Sequence, residues 1–482
     1  MHEVHPLAPA EVRSALPAEY SPTDAEARLS IAIAKHSRKV IVLDDDPTGT
    51  QTVHGVPVLA SFREEVLERY LREPGRTFYV LTNSRSLPEA EACALTEQIC
   101  KSLCNASLKT GVSFAVISRS DSTLRGHYPA ETDTIMATLQ ARLGLWFRGS
   151  VLLPAFFEGG RYTWKGIHWV EQQGQWVPAG QTEFARDPAF GYSASDLRSY
   201  VAEKTGDPKA ASRVVTIPLE VIRRDGPDGV AAILERAPVR SVIAPDAVSY
   251  ADLSVIVCAL LEAEQKGMHY CYRTAASFVP IYCGISRRPL LSPAELKSGR
   301  PGGAGGLVVV GSHVSKSTAQ LRHLVEGTAI EPVELVVERL LSNGTRRAEI
   351  HRTATEVSRH LAEGRDAVLH TSRGVVTGGG GSQYIDIARL VASGLIETVR
   401  AITARPAFFV AKGGITSSTM ATDALGVQAA QVLGQILPGV PVWELGPESR
   451  LPGSNFVVFP GNVGDEMALL QVVRKLQGNE EA

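Results

Sequence analysis

The sequence predicts an α/β protein with two domains, each built on a mostly parallel sheet. Short β-branched runs alternate with stretches of helical periodicity along most of the chain. The strand-like runs are continuously apolar, as is typical of parallel strands that are covered on both faces. The 482 residues also exceed what one ordinary core holds, because a domain usually has roughly 100–200 residues.

The strand and helix predictions follow this alternation. In the first half we predict strands at Val40–Leu43, Thr77–Leu81, Ser113–Ile117, Ser150–Leu153, Val214–Ile217 and Ser241–Ala244, and helices at Thr23–Lys35, Ala90–Leu108 and Asp133–Leu143. In the second half we predict strands at Leu307–Val310, Val333–Val337, Ala367–His370, Ala407–Val410 and Asn455–Phe459, and helices at Ala354–Glu363, Gln383–Ser393 and Ser418–Leu433.

The domain boundary is predicted from composition. Residues 1–36 are rich in Pro, Ala and Glu and are expected to form an N-terminal extension. The stretch KSGRPGGAGG at 297–306 has the composition of a flexible linker, which would separate a first domain at 37–296 from a second at 307–482. A plain surface loop within one larger domain is the alternative interpretation of that stretch.

Composition excludes several classes of protein. With 49 basic and 51 acidic residues the net charge is −2, so we expect neither a nucleic-acid nor a membrane partner. No apolar run approaches the ~20 residues of a membrane helix, and the N-terminus lacks the apolar core of a signal peptide, which predicts a cytoplasmic location. The six cysteines form no CxxC pair, and no metal site is predicted. The sequence contains no Walker A loop, dinucleotide fingerprint, protein-kinase signature set or nucleophile elbow.

Three consecutive aspartates follow the first predicted strand. They are Asp44, Asp45 and Asp46, followed at once by Pro-Thr-Gly-Thr. Because adjacent carboxylates repel one another, such a cluster needs cations, hydroxyl donors or solvent around it. The simpler interpretation is a helix N-cap and turn, which would account for one of the three.

Arginines follow the next strands. Arg85 lies in the turn after Thr77–Leu81, and the loop after Ser113–Ile117 contains Arg119 and Arg125 among several hydroxyls. A later loop at 156–166 adds Arg161. Ligands of open α/β sheets bind at the carboxyl ends of the strands, so these groups would suit a small polyhydroxy carboxylate held by bidentate arginines. Solvated surface salt bridges are the alternative for each arginine taken singly.

The second half carries Gly/Ser/Thr loops after its strands. These loops are 311–315 (GSHVS), 376–382 (VTGGGGS), 411–418 (AKGGITSS) and 459–465 (FPGNVGD). Backbone amides in glycine-rich loops can approach phosphate groups closely. Four such loops in one domain suggest a bound nucleotide.

Several of these loops together resemble the motifs of the four-carbon acid sugar kinase family. They are Asp45-Asp46-Pro47-Thr48-Gly49, the 119–126 segment RSDSTLRG, the 311–315 segment GSHVS and the 413–416 turn GGIT. The resemblance extends over about residues 38–470. It implies an N-terminal domain that binds a sugar acid and a C-terminal domain that binds ATP, with Mg²⁺ accompanying the nucleotide. The implied activity is ATP-dependent phosphorylation of a hydroxyl on a four-carbon acid such as threonate, erythronate or an oxo-tetronate.

The resemblance also implies roles for individual residues. One of Asp45, Asp46 and Asp121 would accept the proton of the attacking hydroxyl. The acid would be bound by Arg85, Arg119, Ser120, Asp121, Ser122, Thr123 and Arg125. The nucleotide would be bound by Ser312, Ser315, Gly413, Gly414, Ile415, Thr416, Gly461 and Asn462. A homo-oligomer is compatible with this interpretation.

The chain departs from the family pattern at three places. Arg119 stands where the family usually has Lys, Ile415 stands in place of a Glu, and the family's Lys-Ser-Gly-Asn reads Phe459-Pro460-Gly461-Asn462. We therefore retain two alternatives, a protein that binds a sugar acid and a nucleotide without turnover and a kinase of a different small hydroxy acid. An oxidoreductase is disfavoured because no dinucleotide fingerprint is present.

Overall fold

A computed structural model describes residues 5–296, 303–311, 315–342, 344–373, 381–461 and 463–478, with the backbone alone at 381–386 and 388. The chain forms two compact units. The first comprises Met1–Val53 and Ser61–Arg287, and the second comprises His54–Ala60 and Arg288–Ala482. Both are α/β units with largely parallel sheets, so the predicted fold class is confirmed.

The first unit is built on a seven-stranded parallel sheet with the order β3-β1-β4-β11-β5-β10-β9 and on a small antiparallel sheet, β6-β7-β8. Its strands are β1 (Lys39–Asp44), β3 (Thr77–Leu81), β4 (Phe114–Arg119), β5 (Phe147–Leu153), β6 (Arg161–Trp164), β7 (Ile167–Gln172), β8 (Gln175–Pro178), β9 (Val214–Ile217), β10 (Ser241–Pro245) and β11 (His269–Thr274). Its helices are α1 (Pro9–Ala15), α2 (Pro22–Lys35), α3 (Glu64–Arg72), α4 (Glu89–Thr110), α5 (Ala130–Leu143), α6 (Leu197–Thr205), α7 (Leu219–Arg236), α8 (Tyr250–Gln265) and α9 (Phe278–Cys283).

The central strands of this sheet are buried along their whole length. All six residues of β1 and all six of β4 are buried, which explains their continuous apolar runs. The register aligns the ends of four strands: Asp44 lies opposite Leu81 of β3 and Arg119 of β4, and Arg119 lies opposite Thr274 of β11. The polar residues that follow these strands therefore meet at one edge of the sheet.

The N-terminal segment that we expected to be an extension belongs to the first unit. Helix α2 packs against α8, with Leu29 and Ala32 buried. Arg28 donates to Glu262 of α8 at 2.7 Å. The amphipathic pattern of α2 therefore serves to cover this unit's core.

The second unit has five parallel strands, in the order β13-β14-β12-β15-β18, followed by the antiparallel strands β17, β16 and β2. Its strands are β2 (Val56–Leu59), β12 (Leu307–Val310), β13 (Glu331–Leu335), β14 (Ala367–Thr371), β15 (Phe409–Lys412), β16 (Ala429–Leu437), β17 (Val440–Leu445) and β18 (Asn455–Phe459). Its helices are α10 (Ser315–Gly327), α11 (Val337–Leu341), α12 (Arg346–Ala362), α13 (Gly381–Ala401), α14 (Gly414–Thr419) and α15 (Ala468–Leu476).

Strand β2 connects the two halves of the sequence in an unexpected way. It comes from the N-terminal half of the chain, yet it belongs to the second unit and pairs antiparallel with β16, with Val58 opposite Ala430. Our domain prediction placed this segment in the first domain. The partner strand lies more than 360 residues later in the chain, and short-range sequence patterns carry no information about such a pairing.

The helix predicted at Ser418–Leu433 is wrong in its second half. Helix α14 is followed by a π-helical turn, Met420–Ala424, and Gly426 adopts a φ of +66°. Strand β16 then begins at Ala429, with alternate residues buried. The period of two in AAQVLGQIL decides the conformation here, because every second side chain reaches the core.

The boundary between the units falls before the predicted linker. Residues 297–302 lie outside the described part of the chain. The residues that precede them, from Arg288, belong to the second unit. Leu291 and Leu296 pack in that unit's core, and the Leu291 N–H donates to the Gln435 carbonyl at 2.7 Å.

Candidate functional site

Two of the three aspartates are buried at the end of β1. Asp44 and Asp45 are only 1% and 4% exposed, whereas Asp46 is half-buried. Asp46 caps the short 3-10 helix Pro47–Thr50: its Oδ1 accepts from the backbone N–H of Thr48 at 2.8 Å and from the Thr48 hydroxyl at 2.5 Å. The N-cap interpretation therefore applies to one of the three aspartates, Asp46. The other carboxylate oxygen of Asp46, Oδ2, takes no part in these two hydrogen bonds.

Arg85 connects three carboxylates. It lies in the 3-10 turn Ser84–Ser86 directly after β3. Its guanidinium donates to both oxygens of Asp45, at 2.5 and 3.2 Å. The third nitrogen lies 3.4 Å from an oxygen of Asp46 and 3.4 Å from an oxygen of Asp121. The fork-like geometry of arginine allows one side chain to join all three groups.

The loop after β4 completes this cluster. The buried Arg119 donates to Asp44 Oδ1 at 3.3 Å, and the Ser120 hydroxyl donates to Asp45 Oδ2 at 2.5 Å. Arg125 donates to the two oxygens of Asp121, at 3.0 and 3.1 Å. The Thr123 hydroxyl also donates to Asp121. We call this hydrogen-bonded set, Asp44–Asp46, Arg85, Arg119–Asp121, Thr123 and Arg125, the acidic–basic cluster.

A layer of aromatic side chains fixes the backbone of the same loop. The hydroxyl of Tyr192 donates to the Thr123 carbonyl at 2.6 Å, and that of Tyr200 donates to the Leu124 carbonyl at 2.7 Å. Nε2 of the buried His168 is 2.7 Å from the Ser122 carbonyl. Burial lowers the pKa of His168 to about 4, so the imidazole is neutral near pH 7 and its N–H donates. Ser122 thus joins the site through its backbone.

Two buried groups at this edge of the sheet, Arg273 and its partner Glu131, were missed by the sequence analysis. Arg273, near the end of β11, donates to Glu131 at 2.9 Å and to the Ser118 hydroxyl at 3.0 Å. Its other terminal nitrogen is buried and has no hydrogen-bond partner among the residues that the structure describes. A Cβ at Gly126 would lie 2.6 Å from that nitrogen, so only glycine fits there. The sequence feature that could have revealed Arg273 is the strand His269–Thr274, which we did not predict.

The charges in the cluster influence one another. Burial raises the pKa of Asp44 to about 7. Burial also opposes the ionisation of Asp45, but Arg85 outweighs it and holds the pKa of Asp45 below its ordinary value. Arg85 and Arg125 likewise overcome burial and hold the pKa of Asp121 well below the ordinary range. Asp45 and Asp121 are therefore fixed anions near neutral pH.

The raised pKa of Asp44 predicts a pH-dependent stability. The folded-state value of about 7 exceeds the ordinary 3.8, so ionising Asp44 costs free energy in the folded protein only, and stability falls as the pH rises between those values. We expect Asp44→Asn to flatten the dependence of the free energy of unfolding on pH between 4 and about 7, measured by urea denaturation. Asp225→Asn, at the surface, is the control. An unchanged slope in Asp44→Asn would contradict this assignment.

The turn after the aspartates requires glycine at position 49. A Cβ added to Gly49 would lie 1.9 Å from Oδ2 of Asp44. We expect Gly49→Ala to lower the free energy of unfolding by roughly 1–3 kcal/mol, since the buried carboxylate has no room to move. Chemical denaturation measures this loss. Gly344→Ala, where the nearest atom would be 4.0 Å away, should stay close to the parent protein.

In the second unit, the turn after β15 brings several predicted residues together. Gly413 has a φ of +117°, and its N–H donates to the Phe459 carbonyl at 2.8 Å. A Cβ at Gly311, at the end of β12, would lie 2.5 Å from the Thr416 hydroxyl. The glycines therefore bring the ends of three neighbouring strands close together. Ser312 and Asn462 lie outside the described residues.

The side chains at this turn differ in exposure. Ile415 is 70% exposed, and Ser315, the first residue of α10, is also exposed. Lys412, directly before the turn, is 0% exposed and donates to the carbonyls of Pro460 and Gly461. A buried ammonium whose hydrogen bonds within the described ranges all go to neutral carbonyls suits a nucleotide phosphate.

Neither a protein-built metal site nor a membrane span is found within the residues that the structure describes. No group of three or more His, Cys, Asp or Glu side chains there is arranged to hold a metal ion. None of the helices in the described ranges has the length and apolar character needed to cross a membrane.

Similar proteins were found by family and by structure. The sugar-binding N-terminal domain family matches residues 40–281, and the nucleotide-binding C-terminal domain family matches residues 307–469. None of the curated proteins matches the chain significantly.

Two solved structures share the fold. A Salmonella typhimurium LT2 protein, provisionally named as a tRNA synthase, is 17% identical, with a TM-score of 0.63 and coverage of 91% of this chain and 99% of that chain. Haemophilus influenzae protein HI1011 is 16% identical, with a TM-score of 0.61 and the same coverages. A Bordetella bronchiseptica protein, solved with bound citrate as a domain-swapped dimer, is 20% identical and covers 92% of this chain and 100% of that chain, with a TM-score of 0.37.

The matches to the two domain families cover nearly the whole chain, in the order that the motifs predicted. The first unit contains the acidic–basic cluster, and the second contains the glycine turns. The chain therefore belongs to the four-carbon acid sugar kinase family, with a sugar-binding N-terminal domain and a nucleotide-binding C-terminal domain.

Proposed function

We propose that the protein is an ATP-dependent kinase that phosphorylates a hydroxyl of a four-carbon sugar acid, of the threonate, erythronate or oxo-tetronate type. The observation that carries the proposal is the acidic–basic cluster at the carboxyl edge of the sugar-binding domain's sheet. It combines hydroxyl-binding carboxylates with carboxylate-binding arginines, while a nucleotide-binding domain in the same chain supplies the phosphoryl donor.

The acid would be bound by arginines of the cluster and by Arg161, which lies outside it. Arg125 has hydrogen bonds to Asp121 and a weaker contact with Asp187 at 3.4 Å, and its guanidinium lies 5.2 Å from the ring centre of Phe184. Arg161 lies 5.4 Å from the same ring, and burial lowers its pKa. Arg125 and Arg161 therefore lie against the same aromatic ring, and in the described contacts only Arg125 is paired with a carboxylate. Their guanidiniums would donate to the carboxylate of the substrate.

Among the three predicted aspartates, the contacts favour Asp46 as the proton acceptor. The side chains of Asp45 and Asp121 are only 4% and 11% exposed, and both oxygens of each accept from Arg85 or Arg125. The side chain of Asp46 is 22% exposed, and within the described part of the chain its Oδ2 contacts Arg85 alone, at 3.4 Å. The substrate hydroxyl would attack the γ-phosphorus of ATP, its proton would pass to Asp46, and the bond to ADP would break.

The nucleotide would be bound by Gly413, Gly414, Ile415 and Thr416 in the turn after β15 and by Gly461 in the turn after β18, together with Ser315 and with Ser312 and Asn462. Mg²⁺ would enter with ATP, because nucleotide phosphates supply most of its ligands and few protein groups are needed. It would neutralise charge on the phosphates during transfer.

A coupled assay for ADP release tests the proposal. Purified protein with Mg-ATP is presented with a panel of four-carbon sugar acids, and hydroxy acids of other lengths serve as controls. We expect ADP formation above background with at least one four-carbon acid, together with a stoichiometric amount of phosphorylated acid detected by mass spectrometry. ADP release that is independent of every acid, or no release at all, would refute the proposed function.

A specific observation supports a second candidate, a protein that binds both ligands without turnover. Ile415 stands where the family pattern has Glu and is 70% exposed at the turn, so one acidic group near the phosphates is missing. Isothermal titration calorimetry that shows binding of a sugar acid and of ATP, combined with no phosphorylated product, would favour this candidate over the kinase.

A further inference from the structure

Lys412 is an unusual residue for the position that it occupies. It ends β15, is 0% exposed, and donates through Nζ to the carbonyls of Pro460 at 2.6 Å and Gly461 at 3.2 Å. The ammonium also lies 4.1 Å from the centre of the Phe459 ring. An ammonium has three N–H donors, so these two carbonyls leave one donor for a further acceptor.

This buried cation has no counter-ion within the described part of the chain. No carboxylate oxygen there lies within 4.0 Å of its Nζ. The elements packed around it, β12, β18 and α14, carry no ionisable side chain, since their sequences are LVVV, NFVVF and GITSST. The charged group whose field reaches it is Lys316 of α10, which repels it. Burial, with this repulsion, lowers the pKa of Lys412 to about 7.

An uncompensated ammonium in such a place costs folding free energy. Its surroundings point to the kind of ligand that would offset the cost. Gly413, whose φ of +117° requires glycine, follows it directly, and the carbonyls that it contacts belong to the turn after β18. Both turns are those to which we assign nucleotide contacts.

We propose that the Lys412 ammonium binds a phosphate group of the nucleotide in the C-terminal domain. The inference rests on the proposed function and assigns to the chain a phosphate-binding residue that the motif comparison did not supply. The sheet register explains the position. Lys412 lies directly opposite Phe459 on the neighbouring parallel strand, and Phe459 stands where the family pattern has its lysine. Strand β18 therefore has Phe459 in place of the family's lysine, while Lys412 of the neighbouring β15 presents an ammonium to the turn after β18.

The first test compares ligands with and without phosphates. We expect wild-type protein to bind ADP more tightly than adenosine, and Lys412→Met to weaken ADP binding about 10- to 100-fold while leaving adenosine binding within about twofold. Lys475→Met is the matched control. Burial also lowers the pKa of Lys475, a residue of α15 that donates to the Ile436 carbonyl of β16. Circular dichroism melting of each variant verifies that it is folded.

A second measurement needs no variant. If a phosphate binds next to Lys412, the complex holds the ammonium protonated, so ADP binding at pH 8 must take up about one proton. Calorimetry in buffers of different ionisation enthalpy measures that number. At pH 6 the ammonium is already protonated, so the uptake should vanish, and the terminal phosphate of ADP, whose second pKa is about 6, should instead release part of its own proton. In folded Lys412→Met the uptake at pH 8 should disappear.

The outcomes separate this inference from the proposed kinase activity. ADP binding with proton uptake, but without any sugar-acid phosphorylation, supports the role of Lys412 and refutes the kinase. Phosphorylation by the wild type, with unchanged ADP affinity in Lys412→Met and no proton uptake, supports the kinase and overturns the role of Lys412. An equal loss of ADP and adenosine binding in the variant also overturns it, because that result shows a purely structural role. A wild type that binds no nucleotide overturns both.

Discussion

Asp46→Asn should lower kcat for sugar-acid-dependent ADP release about 10²- to 10⁴-fold, the range for loss of a general base. An Asn side chain retains an oxygen that can accept from Thr48, so the cap of the Pro47–Thr50 turn should survive. What it removes is the carboxylate oxygen that faces Arg85 at 3.4 Å and is open to a substrate hydroxyl. Steady-state kinetics with saturating Mg-ATP measure kcat, and calorimetry should show unchanged nucleotide binding.

The control for this variant is Asp187→Asn. Asp187 has a similar side-chain exposure, 23%, and lies 3.4 Å from Arg125, but it is not among the three candidate bases. We expect less than a tenfold change there, mostly in KM. If Asp46→Asn retained the parent kcat, Asp46 would not be the proton acceptor, and the equivalent substitutions of Asp45 and Asp121 would become the decisive comparison.

Arg85→Met should have the largest effect on stability of any single substitution in the acidic–basic cluster. The substitution leaves Asp45, Asp46 and Asp121 without the cation that all three contact, and removal of one partner from a buried ionic group typically costs about 3–5 kcal/mol. Because Arg85 holds the pKa of Asp45 and Asp121 down, the stability that it provides is present at neutral pH. In the variant, Arg85 no longer opposes burial, which would raise the pKa of Asp45, so the buried carboxylate would take up a proton between pH 7 and pH 4 and the difference from wild type should shrink.

Urea denaturation at pH 7 and at pH 4 tests this expectation, with Arg69→Met as the control. Arg69 pairs with Glu73 at 2.7 Å on the surface of α3, where its side chain is 66% exposed, so we expect less than about 1 kcal/mol. A destabilisation by Arg85→Met that is equal at both pH values would mean that lost packing, rather than uncompensated charge, causes it.

The parallel core of the fold could be predicted because its signal is local. Strands that are buried on both faces are continuous apolar runs, and three of them, Thr77–Leu81, Leu307–Val310 and Asn455–Phe459, were predicted to the residue. The antiparallel strands were not predicted. Strands β6, β7 and β8 and the pair β16–β17 have partners close by in the chain, and their alternating patterns were overlooked, whereas β2 pairs with a strand that is distant in sequence. The pairing of β2 with β16 joins residues that are more than 360 positions apart, and no local pattern reveals it.

The same reasoning explains what could be predicted of the site. The predicted aspartates and arginines all follow strands that were themselves predicted, and parallel register brings those strand ends to one edge. The partner of each arginine depends on side-chain packing, which no spacing reveals. Arg273 was missed because its strand, HYCYRT, contains aromatic and polar residues and lacks the apolar run that marks its neighbours. The roles assigned to these residues stay predictions until the variants are measured.

The path of β2 determines how the protein can be divided. A cut at Arg287 would leave His54–Ala60 on the first fragment, away from the β16 edge that this segment pairs with. The C-terminal fragment would then expose a row of unpaired backbone groups, a surface that invites aggregation. Separate production of the nucleotide-binding half would therefore call for grafting residues 54–60 onto it. In the intact chain, synthesis must reach β16 before the segment made early can take its place in the sheet.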